Sequence, residues 1–167
     1  MNALFETQTD TEPAHRAPGE KATILLADDD PAIRQILYRL LVDEGYHVIT
    51  AANGEEAIEL VLMTEIDLLL LDLNMPVKDG WTAFEQISTN FPSLPIILIT
   101  ARPNQLFPAL ASGAGALLEK PLDFTQLFLT IHNLLEEPIS VRLARAIGRP
   151  ARFNYHHASG SQTARVG

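Results

Sequence analysis

ILLADDDPAIRQIL, residues 24–37, passes from an apolar run through three aspartates into a segment with helical spacing. The apolar run is long enough for a strand over 23–27. Asp30 followed by Pro31 is an N-cap and first-turn pair. Ile33, Ile36, Leu37, Leu40 and Leu41 then form one apolar stripe, which Gly45 ends. The same strand-then-helix pattern recurs down the chain. Apolar runs stand at 47–50, 67–71, 96–100 and 116–119, and helical patterns at about 54–63, 81–90 and 123–135. In the last of these, Phe124, Leu127, Phe128, Ile131, Leu134 and Leu135 are expected to face inward. The segment ARPNQLFPALAS, residues 101–112, holds Pro108, which fits only the first turn of a helix, so a fourth helix of about two turns is expected there. Five βα units with fully apolar central runs predict an α/β fold around a parallel sheet buried on both faces.

Composition narrows the function classes. The 167 residues are 47% hydrophobic and 20% charged, enough to bury a core. The longest apolar runs, such as 68–71 and 96–99, are far shorter than the roughly 18–20 residues of a membrane span. Neither a membrane partner nor an export signal is indicated in MNALFETQTD, and a cytoplasmic location is expected. Zero cysteines exclude disulfides, thiolate metal sites and cysteine nucleophiles. The net charge of -9 is unevenly distributed: residues 139–167 hold five Arg and no acid, whereas all 21 acidic residues precede Pro138. Such an acidic body argues against nucleic acid as its own partner.

In an open parallel sheet the functional crevice lies beyond the carboxyl ends of the strands. The residues there are Asp28, Asp29 and Asp30, then Asp72, Thr100, and Lys120 with Pro121. In a five-stranded sheet of order 2-1-3-4-5, strands one and three are neighbours, so Asp28, Asp29 and Asp72 would converge. Crowded carboxylates raise one another's pKa unless a cation neutralises them, and an oxygen-only donor set suits Mg2+. With Lys120, the ion would shield Asp72 and let its carboxylate attack a phosphoryl group, while Thr100 donates a hydrogen bond to that group. Asp30 is assigned to helix capping. His47, His132, His156 and His157 have no spacing that assembles a metal site. Trp81 is expected to pack at the start of the third helix.

ILLADDDPAIRQIL, LLLLDLNMPVKDGW (68–81), PIILITA (95–101) and GALLEKPL (115–122), in this order, resemble the receiver domain of two-component response regulators. The resemblance covers roughly residues 21–137 and implies a flavodoxin-like doubly wound (βα)5 fold. It also implies that Asp72 is the phosphoacceptor, Asp28 and Asp29 the acidic pair of the metal site, and Asn74 a metal ligand through its backbone carbonyl. Thr100 would be the switch hydroxyl. Lys120 would be joined to Pro121 by a cis peptide, and Met75-Pro76 with Asp79-Gly80 would form the turn supporting the acceptor loop. Three features depart from the family pattern. Leu117 stands where an aromatic switch residue is usual, the stretch from Thr100 to Lys120 is slightly short, and Arg102 occupies a variable position that influences phosphoryl lifetime.

The expected organisation is a disordered leader at 1–20, a receiver domain at 21–137, and a basic tail at 138–167 with a short helix at about 139–147 and a flexible end. In that helix Ile139, Leu143 and Ile147 form a stripe expected to dock on the body or a partner, with Arg142, Arg145 and Arg149 on another face. The first functional expectation is a stand-alone receiver. It would take a phosphoryl group from a histidine kinase or phosphotransfer protein, act on a downstream protein target by contact, and leave dimerisation open. A phosphorylation-independent pseudo-receiver, motivated by Leu117 and the short fourth helix, is the alternative. An aspartate-based phosphatase would need an acid where Asn74 stands. Nucleic-acid binding would rest on the tail arginines alone.

Overall fold

A computed structural model describes residues 19–76, 79–149 and 151–158. The chain runs β1 (Thr23–Ala27), α1 (Pro31–Asp43), β2 (His47–Ala51), α2 (Gly54–Met63), β3 (Leu68–Asp72) and α3 (Gly80–Asn90). It continues through β4 (Ile96–Thr100), α4 (Leu106–Ser112), β5 (Ala116–Glu119), α5 (Phe124–Leu135), α6 (Ile139–Ala146) and β6 (Asn154–His156). The sheet is parallel throughout, in the order β2-β1-β3-β4-β5-β6. Its first five strands have the expected order. Of the leader expected at residues 1–20, residues 1–18 lie outside the described residues, as do residues 159–167 of the expected flexible end.

Buried strands explain the apolar runs. Leu68, Leu69, Leu70 and Leu71 have no solvent exposure, each removing about 2 kcal/mol worth of apolar surface from water. Alternation divides them between two cores. Leu25, Leu69, Leu71, Leu98 and Leu117 pack with Ala57 and Val61 of α2, Phe84 and Ile87 of α3, and Ala109 of α4. Ile24, Leu26, Leu70, Ile99 and Leu118 pack with Leu37 and Leu41 of α1 and with Leu127, Ile131 and Leu134 of α5. Asp30 caps α1 by accepting from the Ala32 and Ile33 N–H groups. α4 is seven residues long with Pro108 in its first turn. No helix among the described residues is long and apolar enough to cross a membrane.

Three expectations are corrected. Ile36 and Phe124 do not face inward; they are 53% and 41% exposed and line a shallow apolar groove with Ile33, Pro121 and Leu122. In α6 the apolar stripe is not the docked face. Arg145 is buried, whereas Leu143 and Ile147 are exposed. The reversal follows from charge pairing: the Arg145 Nη2 pairs with Glu137 and donates to the Arg152 carbonyl at 3.1 Å, and a buried charge is tolerated when paired. Arg142 donates to the last carbonyls of α5, Leu134 at 3.0 Å and Leu135 at 2.9 Å. The third correction concerns the segment after Pro150, expected to be flexible. Residues 154–156 form a sixth strand beside β5, with Phe153 buried in the core.

Candidate functional site: an acidic pocket at the strand ends

Register brings the acids together. Ala27 of β1 pairs with Leu71 of β3, so Asp28 and Asp72 leave the sheet side by side. Both carboxylates are buried, while Asp29 is exposed, and one oxygen from each of Asp28, Asp29 and Asp72 lies within 4.8 Å of the others. Each buried carboxylate has one oxygen held by backbone. The Asp30 N–H donates to Asp28 at 2.9 Å and the Asn74 N–H to Asp72 at 2.8 Å. The remaining oxygens share one cation. The Lys120 ammonium lies 2.7 Å from Asp72 and 3.2 Å from Asp28.

These contacts bias ionisation. Burial pushes the Asp28 carboxyl above its ordinary range, and the Asp72 charge adds to that against the Asp30 N–H and Lys120. For Lys120, burial acts to lower the pKa, but the hydrogen bond and charge of Asp72, joined by Asp28, outweigh it and hold the ammonium above its ordinary value. The pocket therefore keeps its cation charged next to anions that gain from a second cation. An all-oxygen set from Asp28, Asp29 and Asp72 fits a hard divalent ion such as Mg2+.

Thr100, at the end of β4, is fully buried and donates its hydroxyl to the Asn74 Oδ1 at 3.2 Å; the Ala101 N–H donates to the same oxygen at 3.2 Å. The Arg102 N–H donates to the Thr100 hydroxyl at 2.9 Å, and the Arg102 side chain is exposed. Leu117 is buried in the core. The Lys120–Pro121 peptide is cis. Gly80 is needed for close approach: a Cβ there would lie 2.3 Å from the Asp72 carbonyl oxygen and 2.5 Å from the Leu73 Cα. Asp79 caps α3 through the Thr82 N–H. Trp81 packs edge-on against Phe84 and donates to Gln105 at 3.0 Å.

Sequence reasoning missed Arg34, whose guanidinium donates to the Asp28 carbonyl at 2.6 Å and braces the acidic loop. It also missed Glu119, which accepts from the Tyr155 hydroxyl at 2.7 Å and lies 3.1 Å from the His157 Nε2. Arg34 carries no local signal, being six residues from its partner. Glu119 could have been suspected as an acid ending an otherwise apolar strand.

The doubly wound parallel sheet thus gathers a buried carboxylate pair, a third acid and a lysine at its switch point, where open α/β sheets bind their ligands. Residues 24–132 match the response regulator receiver domain family, and the chain belongs to that family. It is 38% identical over 138 residues to the transcriptional regulatory protein ZraR of Klebsiella oxytoca, covering 78% of this chain and 31% of that protein. With the transcriptional regulatory protein AruR of Pseudomonas aeruginosa it shares 36% identity over 136 residues, 77% of this chain and 54% of that one. The chain thus spans between about a third and about half of the length of these two relatives. Among solved structures, the response regulator TrrA of Thermotoga maritima in complex with Mg2+-BeF superimposes with a TM-score of 0.64 at 33% identity, over 68% of this chain and 98% of that one. A CheY-like receiver domain protein of Methanospirillum hungatei gives 0.67 at 28% identity, over 70% and 95%.

Proposed function

We propose that this chain accepts a phosphoryl group on Asp72 from a histidine kinase or phosphotransfer protein in a Mg2+-dependent reaction, and signals by protein contact. The observation that carries this is the Lys120 ammonium shared by Asp72 and Asp28, with the Thr100 hydroxyl on the neighbouring strand. An Asp72 oxygen attacks phosphorus, a new O–P bond forms, and the donor's P–N bond breaks with its electron pair staying on the imidazole nitrogen. Lys120 offsets the charge brought to the acyl phosphate, and Thr100 turns its hydroxyl from Asn74 to a phosphoryl oxygen. A divalent ion held by Asp28, Asp29, Asp72 and the Asn74 carbonyl would supply further neutralisation. Arg102, exposed beside Thr100, is placed to affect the lifetime of the acyl phosphate.

The groove of Ile33, Ile36, Pro121, Leu122 and Phe124 borders Lys120 and suits the apolar face of a donor helix. An acidic body supports a protein rather than a nucleic-acid partner. With Mg2+ and a small acyl phosphate, intact-mass measurement is expected to show one added phosphoryl group in the wild type and none in Asp72→Asn. An unmodified wild type would overturn the reading.

A further inference from the structure

The last described segment is tied to the strand end that carries Lys120. β6 pairs in parallel with β5 through Ala116↔Asn154, Leu117↔Tyr155 and Leu118↔His156. The Asn154 N–H donates to the Gly115 carbonyl at 3.3 Å, and Phe153 anchors the approach in the core. The side chains converge on one group. The Tyr155 hydroxyl donates to one oxygen of Glu119 and His157 approaches the other. On the opposite face the Thr130 hydroxyl and His156 Nε2 are 3.2 Å apart. Thr100 and Glu119 are partners across β4 and β5, and the Lys120 N–H donates to the Thr100 carbonyl at 2.8 Å. Register partners in a sheet project to the same face. A continuous row therefore runs Thr100, Glu119, then Tyr155 and His157.

We propose that β6 is a latch on the β5 edge, held through Glu119 and loosened when Asp72 is phosphorylated. The proposal rests on the phosphoacceptor reading above. A phosphoryl group on Asp72 attracts the Thr100 hydroxyl, which rests on Asn74, while the Lys120 ammonium already contacts Asp72. The β4 end is drawn toward Asp72 and the β5 end follows through the Lys120 N–H bond to the Thr100 carbonyl, away from the side on which Tyr155 and His157 hold Glu119, so those two contacts lengthen. A three-residue strand is held by few backbone bonds and is drawn from the low-stability end of the structure, so a small bias can shift its docking. Release uncovers the β5 edge, a row of unpaired N–H and C=O groups available to an extended segment of a target protein.

Hydrogen exchange read by mass spectrometry on the full chain, with intact mass recorded on the same samples, tests this. After loading by Mg2+ and a small acyl phosphate, amides of 151–158 are expected to exchange about tenfold faster while those of β1 are unchanged. A mass shift with unaltered tail exchange would overturn the latch alone. Absence of a mass shift would overturn the phosphoacceptor reading and the latch together. Because coupling is reciprocal, Tyr155→Phe, which keeps the ring and removes only the hydroxyl, is expected to tighten beryllofluoride binding in Mg2+ about threefold. Unchanged affinity in this variant would also overturn the latch.

Discussion

The Lys120 ammonium lies 2.7 Å from an Asp72 carboxylate oxygen although the two residues are separated by an entire helix–strand–helix–strand passage. One cation is thereby shared by two buried carboxylates, and the electrostatics of the pocket are left one positive charge short. This arrangement favours divalent-ion capture at the expense of stability in its absence.

Asp28→Asn is expected to make the folded protein more stable by about 1 kcal/mol at pH 7 without Mg2+, while weakening Mg2+ binding. Burial raises the Asp28 pKa above its unfolded value, so its charge costs stability once the pH exceeds that value. The gain of the variant should shrink as pH falls and the wild-type carboxyl becomes protonated. Chemical denaturation at pH 7 and pH 4 measures both parts, and a variant less stable than wild type at pH 7 would refute it.

Gly80→Ala is expected to cost about 2–3 kcal/mol and to slow phosphoryl loading, because the added methyl meets backbone at Asp72 and Leu73 rather than a flexible side chain. Denaturation midpoints and the rate of intact-mass change give the two readouts. Near wild-type values in both would show that the acceptor loop yields freely.

Removing Arg145 leaves the Glu137 carboxylate without its guanidinium in a site only 10% exposed. Arg145→Leu should therefore destabilise by about 3 kcal/mol, with Glu137→Leu added on top restoring much of the loss. A double-mutant cycle by urea denaturation decides it. Additive losses would mean that the pair is not coupled.

Tail docking should also depend on pH through His156. Burial lowers its pKa, with Asp123 opposing, so the docked strand prefers the neutral ring. Docking is then full above the ordinary histidine value of about 6.5 and weakens as pH drops below it, where the undocked ring takes up the proton. The ratio of 151–158 exchange in wild type to that in His156→Gln should therefore rise between pH 7.5 and pH 5.5. A pH-independent ratio would count against the assignment.

Much of the fold and site is legible in the chain itself. Alternating strand and helix periods fix a parallel α/β order, and chain direction then places the residues at the strand ends along one edge, which is why the sequence alone groups Asp28, Asp29, Asp72, Thr100 and Lys120. Asp30 shows the same local determinism, since a cap needs only the two N–H groups next to it. What lay beyond reach depended on partners distant in sequence. β6 is three residues long and is defined by an edge that β5 happens to present, so no periodicity announces it. The helix α6 misleads for a related reason. Its apolar spacing points Leu143 inward, but Glu137 and the Arg152 carbonyl together hold one nitrogen of a buried guanidinium, and only the closed tertiary structure supplies both at once.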